Sequence, residues 1–483
     1  MTGLSCDALW SGTLAQNPSN CVANPGACAL GERCNPVSEL CERLPLRLDA
    51  VSPSQVFRSG GTVLTLRGEG FLPGVTVEVA GKEVPADQLM PVSTQELRFP
   101  APAGATACGR VPITLRNPVG ERVTRTDLLR YTLSDLAFKS AYSVKAASTA
   151  SRSYWTEAID LNHDGAVDLV SLMNDEAMPS RSSVATLLGR GDGTFSPFLS
   201  APLGQSAFSF AITDWDRDGN QDVLAVSLSG EILFLAGQGN GQMTLRLPNT
   251  NPKVGPLTGI VPLDLGAGRP PVAVVLGSAL VRLQNQNGQV STLRGPSIAA
   301  SAQLATLGDI DQDGRADIVL AYYNLEHPAD VFFGAGDGTF LSAVPLPVSG
   351  AFVGATVADL NGDERPDIAL SSPYSSRVTV LLNQGNSTYA APQSLDHERS
   401  RITRFGDLDC DGDPDGVVTG ERSAQVSIFL NRGDGRFSVV QGLPLPAGAY
   451  SVAVADLNGD GVPDLSFGMI DSTDIAIFLS VAK

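Results

Sequence analysis

Seven times along the chain a short acidic cluster recurs, beginning at Asp160, Asp214, Asp264, Asp309, Asp359, Asp407 and Asp456. The recurring pattern is Asp-x-[Asp/Asn]-x-Asp-Gly-x-x-Asp, as in Asp214-Trp215-Asp216-Arg217-Asp218-Gly219-Asn220-Gln221-Asp222. In a tight turn, side chains at alternate positions 1, 3 and 5 aim their oxygens at one point. Glycine at position 6 permits the bend, position 7 can add its carbonyl, and Asp at position 9 closes the shell from the following strand. Calcium, a hard cation taking six to eight oxygens at about 2.3–2.6 Å, suits such a loop. Carboxylates held this close without a cation repel, so the pattern itself predicts the metal. An EF-hand would also need a bidentate Glu at position 12. That place holds Ser171, Ala225, Leu320, Leu370, Val418 and Phe467, so the EF-hand is rejected.

The elements that must carry these loops recur with them. Successive loops start 54, 50, 45, 50, 48 and 49 residues apart. Each follows an apolar strand, for example 208–213 or 451–455, and precedes another, such as 223–227 or 318–322. A further strand and a Gly-rich turn come next, at 189–195, 334–340 and 431–437, with weaker copies at 237–243 and 383–389. Four strands per roughly 50 residues, without helical periodicity, are the signature of propeller blades. Residues 137–483 accommodate seven. The array begins and ends out of phase: 137–145 aligns with the strand that the last repeat lacks after 475–480. The first segment is therefore expected to complete the last blade and close the ring, which removes exposed sheet edges. An open solenoid is the competing architecture.

With its Gly-rich turns the array closely resembles the FG-GAP/VCBS repeats of integrin-α-type propellers, whose members bind calcium through positions 1, 3, 5, 7 and 9. The resemblance implies six sites. The first would use Asp160, Asn162, Asp164, the Ala166 carbonyl and Asp168; the second Asp214, Asp216, Asp218, Asn220 and Asp222. The fourth repeat offers Asp309, Asp311, Asp313, Arg315 and Asp317, and the fifth Asp359, Asn361, Asp363, Arg365 and Asp367, with Glu364 in place of the bend glycine. The sixth offers Asp407, Asp409, Asp411, Asp413 and Asp415, and the seventh Asp456, Asn458, Asp460, Val462 and Asp464. The third repeat departs furthest. Asp264-Leu265-Gly266-Ala267-Gly268 leads to Val272 at position 9, which predicts an empty site and a blade held by packing alone. With position 7 giving only its carbonyl, the six sets use the side chains of 21 of the 51 acidic residues, and six divalent ions would bring the formal charge from −18 to about −6. The ions are expected to be structural.

Upstream, residues 46–133 alternate short β-branched runs with turns (62–66, 75–79, 96–99, 111–115 and 128–132), which reads as a small β-sandwich. Val51-Ser52-Pro53, Gly60-Gly61-Thr62, Gly68-Glu69-Gly70-Phe71, residues 111–117 and Gly120 strongly resemble the IPT/TIG immunoglobulin-like domains, most often a spacer or interaction module. Residues 1–45 hold five of the seven cysteines, Cys6, Cys21, Cys28, Cys34 and Cys41, without a CxxC pair or a His. They read as a disulfide-stapled leader in an oxidising compartment, of unspecified connectivity. Met1–Ser5 lack the basic and apolar stretches of a secretory signal, so a secreted chain implies a leader removed or a start misassigned. Gly3-Leu4-Ser5-Cys6 faintly resembles the end of a lipoprotein signal, which leaves a lipid anchor at Cys6 a minor alternative.

No run approaches the roughly 18–20 apolar residues of a membrane span; the longest candidate, 270–283, is short and carries Arg282. A net charge of −18 and a pI near 4.6 argue against nucleic acid. Arg190-Gly191-Asp192 and Arg432-Gly433-Asp434 read as by-products of the blade turn, and Cys410, at position 4 of a loop, as an exposed thiol. His163, His327 and His397 assemble no catalytic set, while Tyr322, Tyr323, His327, Asp396, His397 and Arg399 fall in less regular loops that could meet as a sugar or protein site. The expectation is a calcium-stabilised extracellular or cell-surface adhesion scaffold for a protein or glycan ligand, and not an enzyme. A carbohydrate-active lyase or hydrolase, or a lectin, is the alternative.

Overall fold

Period-two runs such as Val63-Leu64-Thr65-Leu66, interrupted every few residues by Gly, Pro or Asn, leave no stretch able to sustain a helix. The described residues form strands, with a 3-10 turn at Ala86–Gln88. The computed structural model describes residues 22, 28, 32–38, 40–103, 109–133, 136–146, 151–175, 177–178, 180, 182–227, 229–246, 258–266, 268–286, 288–299, 302–420 and 422–481, with backbone alone at 303 and 441. Two units divide it, residues 1–136 and residues 137–481. Among the described residues no helix is long and apolar enough to cross a membrane.

In the first unit two sheets face each other. One orders Arg47–Ser52, Val63–Glu69, Glu96–Pro100 and Met90–Ser93; the other orders Gln55–Phe57, Arg122–Thr132, Gly109–Arg116, Thr76–Val79 and Lys82–Glu83. Inward residues alternate along the strands, and Leu64, Leu66 and Phe99 meet Val77, Ile113 and Tyr131 in one core. The five strands expected from the sequence are present, four of them longer than expected and Thr76–Val79 one residue shorter. The other four were not foreseen, because they are short or rich in charged residues and proline. Before the sandwich, Glu32–Cys34 pairs with Cys41–Arg43, a disulfide joins Cys28 to Cys41, and Cys34 is also disulfide-bonded. Cys6, Cys21, Cys108 and Ala267 lie outside the described residues.

Among the described residues the second unit contains seven four-stranded antiparallel sheets. Six are consecutive in sequence, spanning 152–202, 207–246, 259–297, 302–345, 354–396 and 400–444. The seventh joins the strands of 449–478 to Tyr142–Lys145, which pairs with Asp474–Phe478, while Ala137–Phe138 pairs with Ser480–Val481. The first strand of every sheet lies beside the first strand of the next, and that of the seventh beside that of the first. The sheets thus succeed one another around a ring that the two ends of the unit fasten. Second strands such as Asp168–Asn174 and Val272–Leu276 are buried along their whole length because neighbouring sheets cover both faces. Across the seam, the Thr156 amide donates to Ser451 Oγ at 3.0 Å.

Candidate metal centres

Each acidic loop turns the first strand of a sheet into the second. The turn needs a left-handed backbone at two places. Position 4 supplies one (His163 φ 60°, Arg217 63°, Gln312 61°, Gly362 71°, Cys410 67°, Gly459 74°) and position 6 the other. Glycine fills position 6 in five loops, but Glu364 fills it in the fifth at φ 66°. A side chain in that conformation costs about 1 kcal/mol or somewhat more. Glu364→Gly keeps the amide that donates to Asp359 Oδ2 at 2.8 Å, so it is expected to stabilise the chain by about 1 kcal/mol in equilibrium denaturation.

Carboxylates organise the turn through its own amides. Position 1 accepts from position 6, as in Gly165 to Asp160 Oδ2 at 3.0 Å and Gly461 to Asp456 Oδ2 at 2.7 Å. Position 5 accepts from position 7 in all six loops, at 2.8–2.9 Å, from Ala166, Asn220, Arg315, Arg365, Asp413 and Val462. These bonds leave other oxygens facing the middle of the loop. One carboxylate oxygen from each of Asp214, Asp216 and Asp218 lies within 4.8 Å of the others, and the same holds for Asp309, Asp311 and Asp317 and for Asp407, Asp409 and Asp415. Asp160 Oδ1 and Asp216 Oδ1 are buried with no hydrogen-bond partner. Buried acceptors without donors are costly, and a hard cation is the group that would satisfy them. In the loops with Asn at position 3, Asn162 and Asn361 donate to the position-5 carboxylates Asp164 and Asp363 at 2.8 and 3.0 Å. The Arg315 and Arg365 side chains lie against Asp313 and Asp363, at 3.4 and 2.5 Å.

Position 9 has a second role that the pattern alone did not disclose. Asp168, Asp222, Asp317, Asp367, Asp415 and Asp464 are at most 1 % exposed. In every one, Oδ2 accepts the amide of position 2 at 2.7–2.9 Å. Oδ1 accepts an amide at the exit of the third strand, at 2.7–2.9 Å, from Gly189, Gly237, Gly334, Asn383, Asn431 and Ser480. The residue is a buckle between loop and sheet, and the buried apolar side chain at position 2 (Leu161, Trp215, Ile310, Leu360, Leu408 and Leu457) seats the loop beside it. Burial pushes Asp222, Asp317, Asp367 and Asp464 up to about 6. Burial, with Asp409 beside it, pushes Asp415 up to about 8.

Neighbouring loops also touch. His163 at position 4 lies with Nε2 3.0 Å from the Gly219 carbonyl of the second loop, and Gln312 Nε2 donates to the Glu364 carbonyl of the fifth at 2.9 Å. Asn285, Asn383 and Asn431 each send Nδ2 to the position-2 carbonyl of the preceding sheet's loop, Trp215, Ile310 and Leu360, at 2.7–2.8 Å. In the sequence Asn383 and Asn431 stand only as the openings of Gly-rich turns, and Asn285 carries no such mark. For Asn383 and Asn431 the signal was their shared place at the start of that turn.

Two expectations are corrected. Cys410 is not an exposed thiol: it is fully buried and disulfide-bonded, although position 4 is exposed in the other five loops. The third sheet is not held by packing alone. Val272 removes the buckle, so the Asn285 amide donates to the Pro271 carbonyl at 3.1 Å instead, Asn285 Nδ2 holds Trp215, and the Arg269 guanidinium donates to the Gly336 carbonyl.

Other singled-out residues have plainer settings. Asp192 Oδ1 caps Thr194 at 2.9 Å inside its turn, and the Gly193 amide donates to the Leu457 carbonyl at 3.0 Å. His397 is buried, which holds it down at about 4, with Nδ1 2.8 Å from Ser427 Oγ. Tyr322 is fully buried, but Tyr323 is exposed and meets Tyr374 of the adjacent sheet with ring centroids 4.8 Å apart. The His397 and Arg399 amides donate to Ser376 at 3.0 and 3.2 Å, and Arg377 lies 3.7 Å from Asp396. These irregular loops do converge, at the strand ends opposite the acidic loops. His327 sits in the same loop as Tyr323, its amide 3.3 Å from Asn324 Oδ1.

Comparison with known families matches residues 160–225, 309–370, 359–418 and 407–466 to the FG-GAP-like repeat, each match opening on position 1 of an acidic loop. Residues 46–131 match the IPT/TIG domain. The degenerate third loop falls in the unmatched stretch. No curated protein matches the chain. Similar solved structures include an Agrocybe aegerita lectin described as recognising non-reducing terminal N-acetylglucosamine (15% identity, 84% of this chain and 96% of that one, TM-score 0.45). Others are a Bacteroides thetaiotaomicron VPI-5482 protein of unknown function (12%, 90% and 98%, TM-score 0.38) and BBS1N in complex with ARL6DN (11%, 72% and 97%, TM-score 0.47). Likenesses this low carry no functional inference.

Proposed function

Since this chain is an FG-GAP-repeat protein with an N-terminal IPT/TIG domain, we propose that it is a calcium-stabilised extracellular or cell-surface binding scaffold. Its parts are a Cys-rich leader (1–45), a spacer sandwich (46–133) and a propeller of seven blades (137–483). The observation that carries the reading is the convergence of acidic oxygens at repeated turns, two of them buried with no donor. Calcium fits the donor set, which is oxygen throughout, and would be held at positions 1, 3, 5, 7 and 9 of the first, second, fourth, fifth, sixth and seventh loops. Its contribution would be charge neutralisation and cross-linking of each turn, with no part in bond making. Affinities of roughly 10⁻⁴–10⁻³ M, common in extracellular modules, match a calcium-rich exterior.

Binding rather than catalysis is favoured because the acids are committed to the turns and His397 is buried. The ligand is a protein or a glycan, held by surfaces of the ring away from the acidic loops. Calcium titration calorimetry with elemental analysis tests the metal reading: about six ions per chain are expected, none of them in the third loop. A chain that retains no calcium at millimolar concentrations refutes it.

A further inference from the structure

We propose that the axial channel of the ring holds one neutral pyranose unit, the terminal residue of a glycan; this deepens the binding reading above and rests on it. A cavity of about 370 Å³ lies among the inner strands of the first four sheets. Its walls are largely apolar, with Ile159, Ile212, Ile260 and Leu307 among them, and Trp155, Glu157 and Arg404 also line it. Arg404, from the sixth sheet, crosses the seventh to reach Glu157 of the first: Nη2 lies 3.5 Å from Glu157 Oε1, an ion pair too long to be a hydrogen bond. The same Oε1 accepts Trp155 Nε1 at 2.7 Å, and the guanidinium lies 5.8 Å from the indole centroid. Both charged side chains are only about a third exposed, at 30% and 35%.

The consequence is a surplus of unused hydrogen-bonding capacity. Among the described residues no protein group hydrogen-bonds to the Arg404 guanidinium or to Glu157 Oε2, and both line the cavity, so a ligand that replaces solvent there can use them. A ligand must therefore bring both acceptors and donors, as vicinal hydroxyls do, with the guanidinium donating and the carboxylate accepting. Charge narrows the class. The pair is neutral overall, so an anion would face Glu157 and a cation Arg404, each at a desolvation cost a neutral polyol does not incur. The apolar walls suit the C–H edges of a sugar ring. A volume near the lower end of the roughly 300–1,000 Å³ usual for ligand pockets favours one ring over a longer segment.

The test uses the whole chain in millimolar calcium. Saturation-transfer NMR and calorimetry are run with methyl glycosides of neutral hexoses, 6-deoxyhexoses and N-acetylhexosamines, and with sialic and glucuronic acids. At least one neutral glycoside should bind. Glu157→Gln and Arg404→Gln should each weaken it tenfold or more, and Ala305→Phe, which fills the cavity without touching the charge pair, should abolish it. Calcium stoichiometry in the variants should stay unchanged, reporting an intact ring. Equal binding by wild type and all three variants would overturn the channel site while leaving glycan recognition standing elsewhere. Preference for the acidic sugars would overturn the charge-balance inference. A wild-type chain that binds no glycoside would overturn the site and the glycan limb of the proposed function together.

Discussion

Adding a chelator to the calcium-loaded chain is expected to lower its thermal midpoint by on the order of 10 °C. At about 2 mM free ion and a dissociation constant of roughly 2 × 10⁻⁴ M, each site stabilises the folded state by about 1.4 kcal/mol. Six such sites give about 8 kcal/mol. An unfolding entropy near 2.1 cal/mol/K per residue, over a ring of roughly 345 residues, converts that into about 11 °C. The size of the effect follows from where the charges sit. The acidic loops cluster their carboxylates at turns that already press position 9 into the protein interior, so removing a cation leaves repulsion that solvent screens poorly. Magnesium should restore little of the loss, because it demands near-octahedral geometry and gives up its water reluctantly. Differential scanning calorimetry with calcium, with chelator, and with chelator plus excess magnesium checks all three statements. A midpoint indifferent to chelation would mean that the loops are stable on hydrogen bonds alone.

The sequence displayed the repeat and the loop chemistry because both are local. A nine-residue acidic pattern, a bend glycine and flanking apolar runs are read without knowing what packs where. The phase offset between 137–145 and 475–480 also foretold the closing of the seventh sheet, since sheet edges must be covered. What escaped was the work done between elements. Position 9 reads as one more acid, and only the fold shows both its oxygens engaged by amides from two separate segments. Cys410 looked like an outward-pointing side chain because its loop was considered alone, and a disulfide to a distant cysteine leaves no trace in the loop pattern. Tyr374 went unremarked because nothing local distinguishes it; its partner Tyr323 lies on another sheet. The channel trio of Trp155, Glu157 and Arg404 is spread over some 250 positions of sequence and has no motif, since an axial contact depends on ring curvature rather than on spacing.

The two roles of aspartate in one loop can be separated by experiment. Asp222→Ala is expected to cost about 3–5 kcal/mol in chelator and about 1.4 kcal/mol more in calcium, while Asp218→Ala should cost about 2 kcal/mol in calcium and close to nothing in chelator. Asp222 accepts the amides of Trp215 and Gly237 at 2.8 Å and of Asp216 at 3.2 Å, and it is fully buried. Alanine there leaves buried N–H groups without acceptors, at roughly 1–3 kcal/mol each. Asp218 is exposed and accepts one amide, that of Asn220 at 2.8 Å. Its loss removes one such bond and the stabilisation of one site, and in chelator the missing bond is offset by relief from Asp214 and Asp216. Asp264→Ala is the control: in a loop that lacks position-3, position-5 and position-9 acids, it should barely move either curve. Urea denaturation of the three variants, with and without calcium, yields six free energies. If Asp222→Ala, like Asp218→Ala, costs close to nothing in chelator, position 9 is a ligand and nothing more, and the buckle seen in all six loops contributes nothing to holding the ring.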